Sequence, residues 1–364
     1  MKRTGIVVFW IMILWHLAAV GAAARTITVN DMAGRQVAAP HDPDRIVCLG
    51  PGALRLIVYL QAEAKVVGVE SMEKRHDMGR PYWIAHPELA RLPSCGPGGP
   101  ASINKKPDLE AVFSVRPQVI FVTYMDASLA DDVQEILGIP VVVLSYGALA
   151  TFDEAVYEAL ETAGNVLNRE QRAGEVVDFI ESQRKVLQRR TGNLSPAERP
   201  SVYVSGIGYR GARGIESTEQ SYVPFDWVNA DNMAEEVQTY LGSHVFMDKE
   251  TLLKLNPEVM FVDGGGLRLV AEDYRKNPDF YDALQAFSKR RVYTLLPFNF
   301  YTTNIGTALA DAWTIGKILY PEDFAAVDPE EKADVIYTYL VGKPLYTAME
   351  QDYGPIGQVP EFVK

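Results

Sequence analysis

The chain has 364 residues, with 47 acidic against 35 basic side chains and a net charge of −12. An acidic balance argues against nucleic acid or an anionic membrane surface as partner. The length suits two domains, each with its own core.

Lys2 and Arg3 precede an apolar run over 6–20, and Ala22-Ala23-Ala24 follow before Arg25. That is the layout of a secretory signal peptide with an A-x-A cleavage site. The alternative is an uncleaved anchor, but the run is near the lower length limit for spanning a bilayer. No cysteine follows it, so a lipid anchor at that point is not expected. Cleavage after Ala24 removes two positive charges and takes the net charge from −12 to −14. No later segment is long and apolar enough to insert in a membrane.

The rest of the chain alternates strands and helices. Residues 26–29 and 35–38 predict an N-terminal hairpin around 31–34. Strand, helix and strand follow at 45–49, 53–61 and 65–69. Residues 71–107 are irregular and rich in Pro, Gly and charge. Helix, strand, helix and strand come next at 108–115, 119–124, 129–137 and 141–145. This order implies a parallel sheet covered on both faces. Residues 151–190 carry almost no breakers, and the piece 168–190 spans about 35 Å as a helix, enough to bridge two domains. A second alternation follows: a strand at 201–205, helices at 228–236 and 249–255, and a strand at 259–263. A helix at 280–287, a strand at 292–295 and a helix at 305–319 complete it.

The chain also repeats itself. Residues 108–122 read DLEAVFSVRPQVIFV and residues 248–262 read DKETLLKLNPEVMFV, 140 residues apart without a gap. Each is a short amphipathic helix, a proline stop and an apolar strand. The period is far too long for a solenoid. It indicates two similar α/β lobes with a cleft between them.

These two segments, DPDRIVCLGP at 42–51 and the NIG…A…W stretch at 304–313 resemble the class III solute-binding proteins of ABC importers. These are periplasmic proteins that bind ferric siderophores, haem and cobalamin. The resemblance implies an α/β fold of two lobes with mostly parallel sheets, joined by one long helix, with the ligand in the interlobe cleft. The implied division is a signal peptide at 1–24, a first lobe at 25–150 and linking helices at 151–192. A second lobe at 193–320 and a C-terminal extension at 321–364 follow. The extension and residues 71–107 depart from the family pattern, and the extension is expected to pack on the second lobe.

Glu110 and Glu250 hold the same place in the two repeats. As first-turn acids each complements a helix dipole. The resemblance assigns them a further role, docking both lobes to basic pockets on the dimeric permease.

Open α/β sheets bind ligands outside the carboxyl ends of their strands. In the first lobe those ends are 50–52, 70–72 and 124–126, with Tyr124. In the second they are 206–214, 264–268 and 298–304. The glycines there allow backbone to approach a ligand closely. Arg210, Arg213 and Arg268 offer forked donors for an anionic group. Tyr209, Tyr222, Phe298, Phe300 and Tyr301 offer flat surfaces for a conjugated ligand. Each also has an ordinary reading, core for the aromatics and solvated loop for the arginines. Arg268, just after a triple glycine, is the first choice for a ligand contact.

Gly206-Ile-Gly208-Tyr-Arg-Gly211 matches G-x-G-x-x-G, but the chain continues as loop where that fingerprint needs a helix. His41, His76, His86 and His244 form no close metal-binding pair, which disfavours the zinc- and manganese-binding branch. His76 and His86 lie in 71–107, which either overhangs the cleft or makes a surface excursion. Cys48 and Cys95 either form a disulfide, which export permits, or stand as a buried thiol and a loop thiol. Two cysteines without histidine support do not make a metal site.

The expectation is a monomeric, non-enzymatic periplasmic receptor with no cofactor of its own. It would capture a small-molecule iron chelate of the ferric siderophore type and hand it to the permease. Cobalamin, haem or an oxyanion such as molybdate are alternatives within the same role. A secreted α/β enzyme is the alternative outside it, although no G-x-S-x-G elbow is present.

Overall fold

The computed structural model describes residues 25–75, 79–147, 152–237 and 243–363. The expected signal peptide at 1–24 and His76 lie outside the described residues. The fold is α/β in two lobes. A hairpin of β1 (Thr26–Asn30) and β2 (Gln36–Pro40) precedes the first lobe. The first lobe contains β3 (Ile46–Leu49), β4 (Val66–Gly68), β5 (Val119–Thr123) and β6 (Val141–Leu144). The second contains β7 (Ser201–Ser205), β8 (Ser217–Glu219), β9 (Asp231–Asn232), β10 (His244–Phe246), β11 (Val259–Asp263) and β12 (Val292–Leu295).

The first sheet runs β4-β3-β5-β6 and the second β9-β7-β11-β12, both parallel throughout. The two orders are the same, because β3 and β7, β4 and β9, β5 and β11, and β6 and β12 correspond. The sequence repeat lands on the corresponding strands β5 and β11, each buried along its whole length. Strands covered on both faces read as continuous apolar runs, as VIFVT and VMFVD do. The helices before them, Leu109–Ser114 and Lys249–Leu255, are capped alike. The Asp108 carboxylate accepts from the Ala111 amide at 3.0 Å and Asp248 from the Thr251 amide at 2.7 Å.

The lobes are joined by helices Ala155–Leu167 and Glu170–Thr191. The break falls at Asn168, in the left-handed region at φ 54°. The largest apolar core runs through both lobes and includes residues of both joining helices.

The structure departs from the expected elements at several places. Residues 228–236 are not a helix: Asn229 turns at φ 49° and Asp231–Asn232 adds an edge strand to β7. The helix of that region is Val223–Trp227. A helix that the sequence reading did not place, Leu267–Lys276, begins within the strand end 264–268. Among the described residues of 71–107, the stretch 79–85 packs into the core, while Gly99 donates to Tyr301 of the second lobe at 3.0 Å. Tyr82, Trp83 and Leu89 are buried, and a buried Arg80–Glu73 ion pair, with Tyr82 donating to Glu73 at 2.9 Å, sits among them. The C-terminal extension does not confine itself to the second lobe. Its helix Pro329–Val341 packs on helix Ile305–Leu319 and also on the first-lobe helices Ala53–Tyr59 and Pro81–Ala85. Cys48 and Cys95 are buried free thiols. No helix among the described residues is long and apolar enough to cross a membrane.

Candidate functional site

In each sheet the chain leaves the first strand to one side and returns to the other. The reversal lies between β3 and β5 in the first lobe and between β7 and β11 in the second. A crevice opens at such a switch point, outside the carboxyl ends of the strands. In the first lobe it is bounded by Gly50 and Tyr124, and in the second by the loop 206–216 and Gly264.

The two crevices open toward each other, because the loops at the strand ends meet across the lobes. Arg55, in helix Ala53–Tyr59, is fully buried. Its guanidinium donates to the carbonyls of Thr303 (2.8 Å), Phe300 (3.0 Å) and Tyr301 (3.1 Å) in the second lobe. The Tyr82 and Tyr146 rings flank it at 5.0 and 5.7 Å. Tyr301 donates to Glu70 Oε2 at 2.5 Å and accepts from the Gly99 amide at 3.0 Å. Burial pushes the Glu70 carboxyl up to about 7, against the Tyr301 donor.

Tyr124, Arg210, Tyr301 and Thr302 all have φ between 52° and 65°. This region is costly for residues with a Cβ, most of all for a β-branched one. Such strain persists where surrounding contacts enforce it, and it clusters at ligand sites. All four residues lie on loops that follow carboxyl strand ends.

On the second-lobe side the loop after β7 gathers part of the expected set. The Tyr209 ring stacks on His244 at 4.5 Å and 18°, and Phe246 meets His244 edge-on at 4.7 Å. Arg213 lies over Phe246 at 5.5 Å and donates through Nε to the Tyr209 carbonyl at 2.9 Å. Arg210 lies 5.5 Å from the Tyr209 ring. Neither arginine is ion-paired with a carboxylate among the described residues. Burial, then the Arg213 charge, pushes His244 down to about 4, so the imidazole is neutral at pH 7. Ser217 Oγ donates to the Ile207 carbonyl at 2.6 Å, which leaves it to accept from His244 Nε2 at 3.3 Å. The result is an aromatic ladder beside two arginines that make no ion pair among the described residues.

On the first-lobe side Tyr124 is half-buried beside Thr302. A cavity of about 50 Å³ lies under the β3 and β5 ends, with Gly50, Ser102, Asn104, Lys105, Lys106 and Glu70 among its lining.

The other expected residues lie elsewhere. Arg268 is on the exposed face of its helix, 77 % exposed, and ion-paired to Glu272 at 2.5 Å. It borders a groove against the chain end at 352–362, not the aromatic ladder. The triple glycine before it has a packing reason: a Cβ on Gly266 would collide with the Gly206 backbone and the Arg213 carbonyl. Tyr222 is fully buried against Phe225 and Phe298, so Tyr222 and Phe298 are core. Phe300 is half-buried against Arg80, and Tyr301 is engaged with Glu70. Glu110 and Glu250 are exposed on the first turns of their matched helices.

Sequence reasoning placed Glu70 at a strand end without giving it a role, and missed Arg55 and the acids Glu219, Asp263 and Asp311. Burial raises all four carboxyls, Glu70 and Asp263 to about 7 and Glu219 to about 8. Arg55 and Asp311 carried a signal, since each is a lone charge in an apolar run, ALRLIVYL and IGTALADAW. Among the described residues no group of His, Cys, Asp and Glu is arranged to hold a metal.

A family model described as "Periplasmic binding protein" matches residues 46–297. The molybdate-binding protein MolA of Haemophilus influenzae is 25% identical over 331 residues, covering 85% of this chain and 89% of that protein. Its molybdate-bound structure superposes with a TM-score of 0.67 at 22% identity, covering 87% and 98% of the two chains. A periplasmic solute-binding protein from Veillonella parvula superposes with a TM-score of 0.71 at 15% identity, covering 90% and 97%. The chain belongs to the periplasmic binding protein family, as a class III binding protein of ABC importers.

Proposed function

We propose that this protein captures an anionic metal chelate, of the ferric siderophore type, in the interlobe cleft and delivers it to its permease. The observation that carries the reading is the ladder of Tyr209, His244 and Phe246 flanked by Arg210 and Arg213. Flat π surfaces beside guanidiniums that make no ion pair among the described residues suit a broad, negatively charged ligand. The chelator's own donors would hold the metal, so the protein needs no metal ligands of its own. Glu110 and Glu250 would then dock the two lobes on the two halves of the permease. Export through a cleaved signal peptide belongs to the same reading.

A second reading, a bare oxyanion, is supported by the small cavity in the first lobe with Ser102 and Lys105 in its lining. The name of the Haemophilus relative points the same way. Glu70 in that lining counts against it.

A thermal-shift panel tests both, using the chain from Arg25 onward. The ligands are ferric catecholates and hydroxamates, haem, cobalamin, molybdate and tungstate. A ligand at about a hundred times its dissociation constant adds about 2.7 kcal/mol, a shift of a few degrees. A shift with one ferric chelate class supports the proposal. A shift with oxyanions alone overturns it in favour of the second reading.

A further inference from the structure

The two repeats carry a second matched pair besides their acids. Phe113 is 59% exposed and Leu253 37% exposed, and they stand 140 residues apart, the offset of the repeat. Each follows its glutamate by three residues, so one helical turn brings acid and apolar side chain onto the same face. The residues just before them, Val112 and Leu252, are matched in the same way and fully buried. Both helices therefore lie with the same face down and the same face up.

Single exposed apolar residues are ordinary. Here, of the five large apolar side chains exposed among the described residues, two fall on equivalent positions of a fifteen-residue repeat, beside equivalent acids. Neither helix gains anything within this chain from an apolar residue facing water. A partner that uses both must present two like sites, each an apolar pocket beside a cation. A second copy of this acidic chain would set carboxylate against carboxylate. A dimeric membrane protein offers two equivalent halves.

We propose that Phe113 and Leu253 are apolar anchors of a two-part docking surface. Each would seat in an apolar pocket on one half of the importer's permease dimer while Glu110 or Glu250 meets a basic side chain beside it. This rests on the importer role given above and adds the recognition chemistry. The two anchors are unequal. Phe113 offers more area, and Leu109–Ser114 holds no basic residue, whereas Lys254 follows Leu253 directly. The first-lobe contact is the stronger.

The test is binding of the unliganded chain, from Arg25 onward, to its cognate importer in nanodiscs. The variants are Phe113→Ser, Leu253→Ser, their combination, Phe113→Leu, and Glu110→Ala with Glu250→Ala. Melting of each variant confirms that it is folded. Phe113→Ser should weaken binding about tenfold, as loss of a seated apolar anchor does. Leu253→Ser should weaken it less, the double variant most, and Phe113→Leu should bind nearly as wild type. Full binding by the folded Ser double variant, with loss in the glutamate pair, would overturn the anchors and leave the docking role intact. Full binding by every variant would overturn both.

Discussion

Tyr301 of the second lobe donates its hydroxyl to Glu70 of the first at 2.5 Å, across 231 residues of sequence. The same oxygen accepts the Gly99 amide, so one phenol ties two loops of the first lobe to the second. Tyr301→Phe removes the donor from a buried carboxyl and leaves a buried amide unpaired. The expected cost is about 1–3 kcal/mol, read from urea unfolding. A loss below about 0.5 kcal/mol, the range of ordinary surface changes, would mean that the contact does not hold the lobes.

Arg55 is the larger tie. Arg55→Met removes the buried guanidinium that the carbonyls of Phe300, Tyr301 and Thr303 share, while the Phe300 carbonyl keeps its bond from Asn304 Nδ2 at 3.1 Å. Loss of this buried, charged donor should cost about 1.5–3 kcal/mol. Limited proteolysis should then cut within 298–304. An unchanged cleavage pattern would count against the tie.

Stability should fall as pH rises from about 5 to 8. Burial is the main cause that raises Asp226 to about 6, Glu70 and Asp263 to about 7 and Glu219 to about 8. Between each ordinary carboxyl value and the raised one, the folded state binds more protons than the unfolded, so raising the pH favours unfolding. His244, pushed down to about 4, acts in the opposite direction, but only between about 4 and its ordinary value of 6.5. Glu219→Gln should flatten the decline above pH 6. Melting midpoints that rise over the whole range would contradict this balance.

Arg210→Ala and Arg213→Ala should each weaken ligand binding about tenfold, the scale of a lost charge-assisted contact. Arg268→Ala should leave it unchanged, because Arg268 is bound to Glu272 on an exposed helix. Isothermal titration separates the three, and a loss confined to Arg268→Ala would return the site to the triple-glycine turn.

The lobes were legible because the repeat places the same helix, proline and strand in each. β7, β11 and β12 and the helices Lys249–Leu255 and Ile305–Leu319 fall at the residues expected. Helix Leu267–Lys276 was hidden by the three glycines before it, although Leu267, Val270 and Ala271 follow helical spacing. The buried stretch 79–85 looked like surface because its one charge, Arg80, is neutralised in space on Glu73, and that pairing is not written in local sequence. The ligand side was half legible. Tyr209, Arg210 and Arg213 share one loop and were found together, but His244 and Phe246 reach them only through the pairing of β10 with β8. Arg55 was missed, and Glu70 was given no role, because their partners lie more than two hundred residues away.

The most direct test of the receptor assignment is equilibrium titration of the chain from Arg25 onward with a ferric siderophore, in parallel with molybdate. The expected result is one saturable site for the ferric complex, weakened in the Arg210→Ala, Arg213→Ala double variant, with the ligand recovered chemically unchanged. Binding of molybdate alone, or conversion of the ferric complex into a new product, would contradict the assignment.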